Sequence, residues 1–149
     1  INASTGFAVG KDWTTGNSVV LKTTDHGNNW NTTSLPALEQ LTDVEFVNNQ
    51  VGWVVGAAGV AYSTGDAGGS WDSVATNNSD MLQGVHFTDT QNGIIVGGSP
   101  ASVSTVLRTT NGGVSWSTVS TPSTDFLQSV HFSSSQVRSS QHHRHQVQR

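Results

Sequence analysis

An eight-residue pattern, Thr-x-(Asp/Asn)-x-Gly-x-(Ser/Asn)-Trp, occurs three times in this chain: TTDHGNNW at 23–30, TGDAGGSW at 64–71 and TTNGGVSW at 109–116. The closing tryptophans Trp30, Trp71 and Trp116 stand 41 and 45 residues apart. A second landmark, Leu-x-x-Val-x-Phe, recurs at 41–46, 82–87 and 127–132 with the same two spacings. A third, Gly-x-x-Val-Gly, recurs at 6–10, 52–56 and 93–97. Landmarks that keep one order and nearly one period describe consecutive copies of a single supersecondary unit, each burying its faces against its neighbours.

Each unit reads as four short strands. Leu-x-x-Val-x-Phe alternates so that Val44 and Phe46 share a face, which predicts the first strand. Polar turn residues follow, and the Gly-x-x-Val-Gly run is the second strand. SVVLKT, GVAYST and STVLRT predict the third strand, the Trp-ending pattern is the turn after it, and SWDSV or SWSTV begins the fourth. Four antiparallel strands per unit of this length is the signature of a β-propeller blade, so the fold class is all-β, a partial propeller. Composition agrees: only 11% of residues are charged, yet the chain carries five Trp and five Phe for its cores.

The repeated turn has a physical reading in each position. Asp25, Asp66 or Asn111 can accept backbone N–H groups ahead of it, as Asx turns do. Gly27, Gly68 and Gly113 tolerate positive φ where the chain reverses. Thr23, Thr64 and Thr109 can hydrogen-bond within the loop, and Trp30, Trp71 and Trp116 supply rings to pack between sheets. These residues are therefore expected to be structural; a catalytic residue needs to occur only once.

TGDAGGSW resembles the Asp-box, or bacterial neuraminidase repeat, of β-propellers. The longer string LTDVEFVNNQVGWVVGAAGVAYSTGDAGGSW is similar to the repeat of the photosystem II stability/assembly factor family, over roughly residues 5–132 of this chain. The resemblance implies propeller blades and secreted, periplasmic or lumenal proteins. It leaves activity open, because such blades also occur in sialidases, other glycosidases and sortilin-type receptors. Two turns depart from the pattern, with Asn29 in place of Ser/Thr and Asn111 in place of the acidic residue. The units expected are 5–40, 41–81 and 82–126, with the start of a fourth at 127–136 and a polar, His-containing tail without regular structure at 137–149. The first unit lacks a Leu-x-x-Val-x-Phe segment and the last such segment has no unit after it, so self-association or further blades of a longer chain are expected.

Several function classes are excluded or disfavoured. Six Lys and Arg spread thinly through a chain of net charge −4 make no basic stripe for nucleic acid. No apolar run is long enough to span a membrane. Without cysteine there is no disulfide, Cys-ligated metal or Cys nucleophile, and no cofactor is implied. Sequons at Asn2, Asn31 and Asn77 are ordinary in a chain so rich in Asn, Ser and Thr. A sialidase needs an arginine cluster for its substrate carboxylate, and outside the tail Arg108 stands alone at a repeat position matching Lys22. A glycosidase needs two carboxyl groups across a cleft. Asp12, Glu39, Asp43, Glu45, Asp72, Asp80, Asp89 and Asp125 show no paired spacing and read as solvated surface groups.

Two places remain as candidate binding sites. Glu45, His86 and His131 hold the x position of Val-x-Phe in successive units, and would line a propeller's channel in register. Asp12 and Trp13 lie in a polar insertion, KDWTTGNS, where an exposed ring could stack on a sugar or seat a protein. The function expected is a non-catalytic binding or assembly scaffold presenting loops to a protein or glycan. The alternative is a piece of a polysaccharide-active glycosidase or a lectin. QHHRH at 141–145 lacks carboxylate or Cys partners and reads as tail, not as a metal site. Truncation after Gln136 is expected to leave thermal unfolding, followed by circular dichroism, unchanged.

Overall fold

The computed structural model describes residues 3–101, 104–122 and 124–133, so the 137–149 tail lies outside the described residues. Eleven strands among these residues form three antiparallel sheets. The first holds β1 (Gly6–Lys11), β2 (Ser18–Thr23) and β3 (Asn31–Leu35) in that order. β4 (Leu41–Phe46), β5 (Gly52–Gly56), β6 (Ala61–Thr64) and β7 (Asp72–Ser73) make the second, again in sequence order. β8 (Met81–Phe87), β9 (Gly93–Gly98), β10 (Thr105–Thr109) and β11 (Ser117–Thr118) make the third. These are blades of a partial propeller, each a short meander, with the Val-x-Phe strand at one edge of the second and of the third. The fourth strand is only two residues long in the second and third blades, shorter than the sequence pattern predicts.

Register follows the landmarks. Phe46 lies opposite Gly52 and Phe87 opposite Gly93, and a bulge after Leu41 or Leu82 resets the pairing so that Val44 meets Val54 and Val85 meets Ile95. Glycine is required opposite the phenylalanine. A Cβ at Gly52 would fall 2.7 Å from the Phe46 ring, and one at Gly93 would fall 2.6 Å from Phe87.

The blades are joined by aromatic rings. Trp53 on β5 stacks on Phe87 of the next blade, with centroids 3.4 Å apart and planes at 6°, and Trp116 meets the same Phe87 edge-on at 5.8 Å. One interface earlier, Phe7 of β1 stacks on Phe46 at 4.3 Å, and Trp71 meets Phe46 edge-on at 6.0 Å. Each interface is therefore one ring from the second strand of a blade, plus the Phe and Trp of the blade that follows. Around these rings lie two cores, one holding Leu82, Ile95 and Leu107, the other Val20, Leu41 and Val54.

Two elements differ from the sequence expectation. Trp30 does not pack between sheets and is 43% exposed, because among the described residues no strand bearing a Phe pairs with β1 to receive it. Leu127–Phe132 does not form a strand, although its landmark matches β4 and β8. It runs beside β8, with Ser129 Cα 3.1 Å from where a Gly84 Cβ would stand and Leu127 N–H donating to Gly97 O at 3.3 Å. The segment sits where the next blade's first strand belongs, but no described strand pairs with it.

The three turns share one hydrogen-bond plan. Thr64 Oγ1 donates to Asp66 Oδ1 (2.8 Å) and accepts the Gly68 N–H (2.9 Å). Asp66 accepts the Ser70 N–H (2.8 Å) and its hydroxyl (2.7 Å). Thr23 with Asp25 and Thr109 with Asn111 repeat the plan, Gly27 and Gly113 donating in the place of Gly68. The two departures from the pattern are self-consistent. Asn29 Nδ2 donates to Asp25 Oδ2 as the Ser70 hydroxyl does to Asp66, and Asn111 Nδ2 donates to Ser115 Oγ. These bonds stabilise the charged carboxylate: those from Ser70 and Thr64 lower the Asp66 pKa from 3.8 to about 2, and Asp25 is lowered in the same way by Asn29 and Thr23.

Three outcomes follow from this architecture. Phe87→Ala removes the ring shared by two tryptophans and should cost about 3–5 kcal/mol in urea unfolding. Thr64→Val strands the Gly68 N–H in a buried turn and should cost about 1–3 kcal/mol by the same measurement. Because the folded pKa of Asp66 is depressed, its contribution is present above pH 3.8 and is lost as pH falls towards about 2. Asp66→Asn, which copies the third turn, should keep the fold at neutral pH and flatten the decline in melting temperature across that acid range.

Candidate functional site

β4 and β8 are the first strands of neighbouring blades and pack against each other. Strand alternation turns Val44 and Phe46 towards the first blade, and Asp43 and Glu45 towards the third. Thus Glu45 Oε1 lies 3.2 Å from His86 Nδ1, with the two side chains 30% and 13% exposed. The His86 ring in turn lies 4.8 Å from that of His131 and 5.8 Å from that of Phe132. The structure brings the three predicted residues into one row. They lie hand to hand from β4 through β8 to the 127–132 segment, and His131 is the exposed end.

Burial is the main charge effect in this row. It pushes the Glu45 carboxyl up, and the negative charge of Asp43 adds to the rise while His86 and His131 oppose it. Asp43 is also raised by burial, against the lowering effect of the N–H groups of Val85 and Val44 that it accepts at 2.9 Å each. Sequence reasoning placed Glu45, here paired with His86, among the solvated surface carboxylates together with Asp43, and Asp43 too needs correction. It is a half-buried tie between two blades, and the signal was its position two residues before Glu45 on one face of a strand. Arg108 and Lys22 hold equivalent positions, and Lys22 Nζ donates across the blade boundary to Ala67 O at 2.7 Å.

The other candidate is a separate surface. Asp12 Oδ1 accepts the Thr14 N–H and Asp12 Oδ2 the Thr15 hydroxyl, both at 2.8 Å, which fixes the loop. Trp13 stands 80% exposed on it, with Lys11 Nζ 5.4 Å from its ring centroid. Asp89 likewise closes a turn, accepting the N–H groups of Gln91 and Asn92. The turn carboxylates thus have their lone pairs committed to backbone and side-chain donors. Among the described residues, no three His, Asp or Glu side chains converge as metal ligands would, and no helix is long and apolar enough to cross a membrane.

Comparison with known proteins agrees with this architecture. A solved structure described as "YCF48 bound to D1 peptide" superposes with a TM-score of 0.63 at 20% identity. The match covers 78% of this chain and 36% of that one, so the present chain spans about a third of that protein's length. No curated protein matches. The family model described as photosynthesis system II assembly factor YCF48 matches residues 2–81 and 22–127 in overlapping registers, as a repeat should. Those matches take in well over half of the sequence, and the chain belongs to the photosynthesis system II assembly factor YCF48 family.

Proposed function

We propose that this chain is a non-catalytic binding scaffold that holds a segment of another protein, in a secreted, periplasmic or lumenal setting. The observation that carries the reading is its fold likeness to a family structure whose partner is a peptide. The contact surface is proposed to be the Glu45–His86–His131 row. There a carboxylate acceptor and two imidazoles run along the blade edges, flanked by the exposed ring of Phe132. Such a line of polar groups beside an aromatic ring suits an extended peptide, whose amides need partners at regular intervals. The repeated turns, under the same reading, are structural and take no part in chemistry.

A second reading keeps a glycan as the ligand, because Trp13 is held out from a turn as a flat, exposed platform. Titration against a peptide library and a glycan array separates the two. His86→Ala combined with His131→Ala should weaken peptide binding about tenfold or more, a loss of about 1.4 kcal/mol, with unchanged circular dichroism. Trp13→Ala should leave peptide binding intact. Glycan binding abolished by Trp13→Ala would favour the second reading, and turnover of chromogenic glycosides would refute the non-catalytic one.

A further inference from the structure

We propose that the groove between the second and third blades is a lysine pocket, which takes the ammonium end of a side chain from the bound protein segment. It rests on the scaffold reading above for the source of that lysine, and uses a different surface from the Glu45–His86–His131 row. Two boundaries of one molecule, alike in plan and different at one residue, carry it.

At the boundary between the first and second blades the chain supplies its own lysine. Lys22 Nζ donates to Ala67 O at 2.7 Å and lies 5.7 Å from the centroid of Phe7, its cross-strand neighbour. Ala67 is the fourth residue of its turn. It has a φ of 60° and donates its N–H to Gln50 O at 2.9 Å. The next N–H, that of Gly68, donates to Thr64 Oγ1 at 2.9 Å, which turns the Ala67 carbonyl away from its own loop.

At the next boundary everything but the lysine is repeated. Gly112 is the fourth residue of its turn, has a φ of 68°, and donates its N–H to Gln91 O at 2.9 Å. Gly113 N–H donates to Thr109 Oγ1 at 3.0 Å, so the Gly112 carbonyl is presented as that of Ala67 is. Trp53 stands where Phe7 stands, and an indole is the better ring for a cation. The position of Lys22 is held by Ser63, which is too short to cross the boundary. A cavity of about 380 Å³ lies there, lined by Ser63, Val74, Ala75, Gly112, Gly113 and Val114.

The chemistry of this groove selects its occupant. A carbonyl oxygen accepts only from a donor, and the side chains of Val74, Ala75 and Val114 suit the methylene stem of a long amine. Asp72 is the cross-strand neighbour of Ser63 and shares its strand face. In the first blade the residue opposite Lys22 is the neutral Asn31. Where the chain lacks the cation, it therefore carries a carboxylate beside the gap. An anionic ligand would meet both that charge and the carbonyl dipole, whereas a compact ammonium with rotatable donors satisfies both.

Nα-Acetyl-lysine methylamide, titrated into isotope-labelled protein, should shift the NMR amide signals of Ser63, Gly112 and Gly113 to saturation. The norleucine analogue, which has the stem without the ammonium, should not. Ser63→Lys copies the first boundary, so its own Nζ should occupy the pocket and abolish the response to the lysine amide. Asp72→Asn, at an exposed position, should weaken the response about threefold and leave the rest of the spectrum unchanged. Lysine-bearing members of the peptide library should bind Ser63→Lys more weakly than the parent chain. An equal response to norleucine, lysine binding retained in Ser63→Lys, or lysine peptides that bind both chains alike would overturn the proposal. A library without binders would overturn the scaffold reading and with it the protein source of the lysine, while the amide titration would still decide the pocket.

Discussion

Between the second and third blades, Trp53 lies flat on Phe87 while Trp116 closes over the edge of the same ring. A four-stranded meander of this size has too little apolar surface to stand alone in water, so its stability depends on covering its faces. The three rings do this at one point, and most of the local sequence serves to place them. Gly93 lets the Phe87 ring lie over the strand, and Gly113 brings its turn within 3.1 Å of Trp53 Nε1, measured from an added Cβ. The Thr109–Asn111 bonds hold that turn in shape. The turn chemistry and the core packing are thus two parts of one joint.

That joint explains why so much of the fold is readable from residue order. The Leu-x-x-Val-x-Phe, Gly-x-x-Val-Gly and Trp-ending patterns are the joint written out linearly, and their periods set strand order, register and turn positions. Less readable was anything that depends on a neighbour being there. Trp30 and Phe132 carry the same local signals as their counterparts, yet both are exposed, because burial is decided by the adjoining blade and not by the segment itself. Leu127–Phe132 shows the same limit. Its pattern is that of a strand, but a strand exists only as half of a ladder.

The candidate site was legible as a set of positions but not as an arrangement. Period alone aligned Glu45, His86 and His131. It took packing of β4 on β8 to show that the carboxylate and imidazole touch, and that Asp43 stands behind them with both its oxygens engaged. The spacing of Asp43 and Glu45 put them on one strand face, but only the packing of β8 against that face buries them. Trp13 was the simpler case, since polar flanks on both sides argued for exposure and the ring is exposed.

At both described interfaces the later blade contributes a Phe and a Trp, and the earlier one the ring at the second position of Gly-x-x-Val-Gly. A unit with two unlike faces that fit each other is modular in a strict sense. Duplicating or deleting a whole period leaves every surviving boundary of the same kind, so chain length can change in steps of one blade without any new interface having to arise. Variation in blade number then costs little in packing, and the polar positions along the inner edge, such as Glu45, His86 and His131, can diverge from blade to blade while the joint stays constant.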